Sequence, residues 1–258
     1  MTAARIRAVF VPAGILTLIL VGGFFAEAEW ATTLWPWPDA PLSYVFIASI
    51  LAAIAIPMLW IALSGEAAAM QAGALDLTVM YGGMFLYTVT LIGDPGQPRL
   101  WPYAVVFGLA CLGSAATFAR SRRIAWSDGR PLPALVRGSF GAFALVLVAA
   151  GTALIFHADI FPWALTSESS VMFGLVYLGA AVYFIHGFAL PRWSNAAGQL
   201  AGFLVYDVIL LGPFFAHFGE VSGGQLTSLI VYVAFLLYSG ALAVYYLLVC
   251  ERTRLRLG

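Results

Sequence analysis

The chain has 258 residues, 62% of them hydrophobic and 9% charged, with a mean hydropathy of +0.95. Soluble domains carry roughly a quarter charged residues, which excludes a water-soluble fold and leaves an all-α integral membrane protein. The formal net charge is zero and every basic residue is Arg, so lysine Schiff-base chemistry, a retinal pump included, is excluded and no basic tract suits nucleic acid.

A hydrocarbon core of about 30 Å takes about twenty apolar residues of helix. Such stretches fall near 8–26, 41–63, 72–92, 101–119, 138–157, 169–190, 197–217 and 225–249, which predicts eight transmembrane helices. The first follows Arg5 and Arg7 and runs into Glu27 and Glu29 without a small-residue cleavage site. It reads as a retained helix rather than a signal peptide. Next comes the turn TLWPWPDAPL, in which Trp35 and Trp37 suit the headgroup interface, as does Trp163 after the fifth helix. All three are expected to act as interfacial anchors, with the prolines fixing an extended turn. This WPWPxxPL turn resembles a recurring motif of multi-spanning bacterial membrane proteins. The resemblance implies a bacterial inner-membrane protein and implies no activity.

Glu66 follows the second helix and Arg192 the sixth, with opposite charge in corresponding loops, so a salt bridge between them is expected. Asp76 and Tyr81 fall on the third helix, Asp76 near its start, where a carboxylate favours the positive helix end. The segment 120–137 carries Arg120, Arg122, Arg123, Arg130 and Arg137 and reads as a plain linker. His157 ends the fifth helix, His186 lies late in the sixth, and the seventh contains Gly198, Gly202, Tyr206, Asp207, Pro213 and His217.

Counting Arg across the loops puts eleven of the twelve on one side, with Arg99 alone on the other. Glu27, Glu29, Asp39, Asp94, Asp159, Glu168 and Glu220 gather on that second side. Both termini are therefore expected in the cytoplasm. The chain also repeats itself: Leu34-Trp35-Pro36-Trp37 matches Ile160-Phe161-Pro162-Trp163, and Gly73, Leu75 and Tyr81 match Gly198, Leu200 and Tyr206. Residues 1–119 and 138–258 are thus read as two four-helix repeats, joined by 120–137. An even helix count in each makes them parallel rather than inverted.

Ionisable residues at membrane depth are functional candidates, and Asp207 is the central one. The leading expectation is an accessory or scaffold subunit that packs against other membrane proteins, lipids or pigments and carries no cofactor. One alternative is a proton- or cation-coupled carrier using Asp207 with Tyr206 and Tyr81. Another is an electron-transfer subunit holding b-type haem between His157 and His217. No catalytic dyad, nucleotide loop or metal-ligand spacing is present, and Cys111 and Cys250 fall at different depths. Asp207, Arg192 and His186 all differ from their counterparts, which places any specialised function in the second half.

Overall fold

The computed structural model describes residues 3–93 and 97–254, with side chains from Ile6 onward. Asp94, Arg256 and the side chain of Arg5 lie outside the described residues. Among them, eight helices are long and apolar enough to cross a membrane. They are α1 (Ala3–Phe25), α2 (Pro41–Ser64), α3 (Met70–Ile92), α4 (Trp101–Ser121), α5 (Ala134–Ile155), α6 (Ser167–Ala189), α7 (Trp193–His217) and α8 (Gly223–Val244). The chain is an all-α, multi-pass membrane protein. Several ends differ from expectation: α5 begins at Ala134 rather than 138, because Arg137 interrupts the apolar run without interrupting the helix, and the last span leaves the α-helical form at Val244 for a π-helical turn, Tyr245–Val249. Proline opens α2 at its first position, where a missing N–H costs nothing, and Gly65 closes it in the left-handed conformation (φ 74°).

The helices pack in a pattern that repeats. α1 lies on α2 and α5 on α6; α3 lies on α4 and α7 on α8; across the halves, α2 packs on α7 and α6 on α3. By contrast α2 barely touches α3, and α6 barely touches α7. The packed sets are therefore α1, α2, α7 and α8 on one hand and α3, α4, α5 and α6 on the other. Each draws one helix pair from each sequence half.

Small details recur too. Arg7 Nε donates to the Ala62 carbonyl at 3.0 Å, and Arg137 Nε to the Phe188 carbonyl at 3.1 Å. Each guanidinium thus satisfies an orphan carbonyl near the end of the neighbouring helix. α1 and α5 both end through a left-handed residue, Glu27 (φ 50°) and His157 (φ 58°). Arg137 follows Arg7 by 130 residues, as His157 follows Glu27, whereas the aromatic-proline turns are 126 apart. A four-residue helical turn, Glu29–Thr32, accounts for the difference, and sequence periodicity did not reveal it.

Glycines set the closest helix approaches. A Cβ on Gly202 would lie 2.8 Å from the Ala53 carbonyl, and one on Gly198 would meet the Trp60 ring, as expected for small residues at a packed seam. Gly73, the counterpart of Gly198, has nothing near it and borders a cavity instead. At the α5/α6 crossing, a Cβ on Gly174 would sit 2.7 Å from the Gly151 carbonyl and one on Gly151 2.8 Å from the Gly174 carbonyl. Neither backbone can yield cheaply. Gly174→Ala is expected to destabilise the protein by about 1–3 kcal/mol, read as a lower thermal midpoint in detergent.

The connection between the halves is more than a plain linker, and it is shorter than 120–137 because α4 reaches Ser121 and α5 starts at Ala134. Ile124 and Trp126 pack on the apolar cluster of Ile6, Ile61 and Met70. Leu132 N donates to the Pro191 carbonyl and Trp193 N to the Arg130 carbonyl. Arg130 also reaches the carbonyl of Arg252 in the tail at 3.3 Å. The segment straps the α2–α3 loop, the α6–α7 loop and the tail together. The expected Glu66–Arg192 bridge does not form. Instead the buried Glu66 carboxylate accepts Ser127 Oγ at 2.5 Å and the amides of Ser127 and Asp128 at 3.1 Å each. Arg192 is exposed and pairs through its backbone with Pro131. Both residues touch the strap rather than each other.

Glu66→Ala leaves those amides and the hydroxyl without their acceptor. Hydrogen exchange at Ser127 and Asp128 is expected to rise by at least tenfold, since charge-assisted bonds are the strong ones. Nearby, Arg130 donates to Asp128 and holds its carboxyl below the usual carboxylate range. That pair supports the strap at neutral pH and fades as pH falls through the lowered value, by little, because it is solvent-screened.

Candidate functional site

Because α2 and α3 separate, the first half forms a V whose limbs are α1/α2 and α3/α4. The V is hollow. A cavity of about 850 Å³ lies between the limbs toward the Arg-rich end, walled by residues such as Val9, Ile54, Met58, Leu77, Ala110 and Gly113. Tyr183 of α6 borders it, and Arg120 and Arg123 stand at its edge, both exposed. One carboxyl faces this apolar space. Asp76, half-buried, rests against Gly179 of α6, where a Cβ would fall 2.5 Å from Asp76 Oδ1. Gly179 is thus what makes room for it. Among the described residues the ion pairs are Arg130–Asp128 and His217–Glu220, and Asp76 belongs to neither.

At the corresponding level, the V of the second half is filled. Phe143 sits at the centre of an aromatic plug, with ring centroids 5.4 Å from Phe184, 5.8 Å from Phe203, 4.9 Å from Phe235 and 6.0 Å from Tyr238. Taking the spacings that relate the halves, 130 residues in α1/α5, 126 in α2/α6 and 125 beyond, these positions in the first half are Ala13, Met58, Thr78, Ala110 and Gly113. Three of those five line the cavity. The plug is also latched, since the Ser139 and Tyr238 hydroxyls lie 2.7 Å apart across α5 and α8. Val9 and Gly113 take those two places in the first half and make no such bond. The large site is therefore in the first half, not the second.

Asp207 is buried, packed against Gly240 of α8, with Ser239 Oγ donating to its Oδ2 at 2.8 Å. Its Oδ1 has no partner among the described residues. It lies on the wall of neither cavity described here. Tyr81 stacks on Phe107 in the α3/α4 cluster, while Tyr206 belongs to the main core, so the expected trio of Asp207, Tyr206 and Tyr81 does not converge on one path. Tyr206 instead joins Tyr232, which lies 2.5 Å from Tyr177, hydroxyl to hydroxyl. These three phenols border a second cavity of about 310 Å³ among α5, α6, α7 and α8 toward the acidic end.

The two histidines expected to flank a haem sit in unlike surroundings. His217 has both ring nitrogens engaged, Nδ1 with Glu220 at 2.8 Å and Nε2 with the Pro162 carbonyl at 3.2 Å, and His157 is exposed. His186 Nδ1 lies 3.2 Å from Asn195, whose amide also caps α6 by donating to the Leu190 carbonyl. The tryptophans differ from expectation as well. Trp37 and Trp163 are buried, and Trp163 Nε1 donates to the buried Ser43 at 2.8 Å. Trp35 stacks on Phe173 and donates to Ser169 at 3.4 Å. Each turn reaches into the opposite half because a serine waits there, so the indoles join the halves rather than anchor to headgroups. The exposed indoles are Trp30 and Trp101.

Comparison with protein-family models, curated proteins and solved structures returned no match.

Proposed function

We propose that this chain binds and carries a lipophilic organic cation, with the hollow V as its site and Asp76 as the counter-charge. The supporting observation is the carboxyl facing an apolar cavity, at the place where the second half holds an aromatic plug. A charge at membrane depth is costly unless it is paired, and a cation with an apolar body supplies the charge and fills the walls. Ligand pockets commonly span about 300–1,000 Å³, so a cavity of about 850 Å³ accommodates such a molecule. In this reading the two parallel four-helix repeats arose by duplication and the first was hollowed. The Arg-rich end faces the cytoplasm of a bacterial inner membrane, which sets Arg120 and Arg123 at the level of lipid phosphates.

A matched pair of probes tests the reading. In lipid nanodiscs, tetraphenylphosphonium should bind once per chain, and tetraphenylborate, of the same shape and opposite charge, at least tenfold more weakly after correction for lipid partitioning. Equal binding of the two, or preference for the anion, sinks the proposal. A second reading, an accessory subunit, draws on α4, of which almost nothing is buried and whose Val105, Val106, Leu109 and Leu112 stand exposed. A stoichiometric membrane partner in native gels would support it.

A further inference from the structure

We infer that the ligand of the hollow V is a zwitterionic amphiphile, with its ammonium at Asp76, its phosphate between Arg120 and Arg123, and its tail in the bilayer. The inference rests on the reading of Asp76 as a counter-charge and adds to it the anion and the tail. The charged side chains bordering the cavity are Asp76, Arg120 and Arg123. The spacing of 125 residues sets them against Ala201, Tyr245 and Leu248 in the filled half. All three charges accompany the hollow, and the matching positions beside the plug carry none.

The charges are ordered by depth. Gln71 Nε2 donates to the Ser121 carbonyl at 3.1 Å, which levels the start of α3 with the end of α4. Asp76 follows Gln71 by five residues and so lies about 7.5 Å deeper by helical rise, with its Cβ tilted back toward the helix start. That separation suits an ammonium and a phosphate joined by a short link. Arg123 N donates to the Arg120 carbonyl at 3.2 Å, a turn that keeps the two arginines together at the cavity edge. Arg122, off the wall, instead lies 5.6 Å from the Phe118 ring centroid. Neither Arg120 nor Arg123 takes part in the ion pairs among the described residues, and a guanidinium fork matches a phosphate. A plain cation would settle beneath two like charges, whereas a zwitterion leaves its anion between them. Ser114 and Thr117, below Arg120 on α4, give the head a polar wall. Val9 on α1 and Gly113 on α4 border the cavity and are exposed, so a tail passes sideways between those helices into hydrocarbon.

The test uses octylphosphocholine, octyltrimethylammonium and octyl phosphate, which share a tail and differ in charge. Each is dialysed to equilibrium against the full-length protein in maltoside micelles and against empty micelles. Octylphosphocholine should bind once per chain and at least tenfold more tightly than either other probe. Arg120→Gln together with Arg123→Gln should abolish its advantage over octyltrimethylammonium, since only the cation and the tail then count. Arg122→Gln should preserve that advantage. Glycerophosphocholine, the same head without the octyl tail, should bind at least tenfold more weakly than octylphosphocholine; equal binding would make the ligand a water-soluble zwitterion and overturn the inference. Equal affinities for octylphosphocholine and octyltrimethylammonium in the wild type overturn it too, as does an advantage that survives the double variant or is lost in Arg122→Gln. If tetraphenylphosphonium still binds through Asp76 in that event, the inference alone falls. If tetraphenylphosphonium binds no better than tetraphenylborate, the reading of Asp76 beneath it falls.

Discussion

Asp76→Asn is expected to weaken tetraphenylphosphonium binding about a hundredfold. A phosphonium centre held about 5–6 Å from a carboxylate, at an effective dielectric constant of about 20, gains about 3 kcal/mol, and each 1.4 kcal/mol is a factor of ten. Asn keeps the size of the side chain, and Asp76 has no ion-pair partner among the described residues that its loss would strand. The fold should therefore persist, which a size-exclusion profile and a melting curve check. Asp207→Asn is the control. Asp207 borders neither cavity, being held by Ser239 against Gly240, so its neutral variant should bind the probe as the wild type does. Equilibrium binding on the two variants side by side is decisive. Loss in the Asp207 variant alone would move the counter-charge to Asp207, and loss in neither would remove it from both.

Phe143→Ala is expected to cost about 3–5 kcal/mol, the range for truncating a buried aromatic and leaving a cavity. Its ring is buried and touches four other aromatic rings, so the site has little freedom to collapse. The measurement is the midpoint of unfolding in a fixed detergent, compared with Leu145→Ala on the exposed face of the same helix, which should stay near the wild type. Truncation also makes the second half resemble the first, where Ala13 stands in this position. The new hollow lacks a carboxylate, because Ala201 corresponds to Asp76. It should admit an apolar probe without preferring a cation.

Much of the architecture was readable from composition and spacing. Eight apolar stretches gave eight helices, because a backbone in hydrocarbon has few other ways to satisfy its hydrogen bonds. Helix ends were less readable, since Ala134 to Arg137 or Ala67 to Ala69 can continue a helix without adding to an apolar run. The hollow was invisible for a different reason. Ala13, Met58, Thr78, Ala110 and Gly113 lie on four helices and differ from their counterparts in volume far more than in polarity, and hydropathy does not record volume. Only a register of 130 residues between α1 and α5 sets Ala13 against Phe143, and the turn Glu29–Thr32 disguises it. The aromatic-proline turns are legible, but their indoles read as interfacial because Ser43 and Ser169, which receive Trp163 and Trp35, carry no signal of their own. Asp76 lies near a helix start, where a carboxylate is ordinary, and the sequence around it does not mark the space that it faces.

The interleaved packing has a mechanical consequence. Since α1, α2, α7 and α8 form one packed set and α3 to α6 the other, the boundary between these sets runs through both Vs. On one flank it is cemented by the Phe143 rings and the Ser139–Tyr238 latch; on the other it is open, with Asp76 inside. Any rotation of one set against the other has its fulcrum at the cemented flank and its greatest travel at the open one. Cutting the chain between the sequence halves would not release two such bodies, because each half supplies one arm to both.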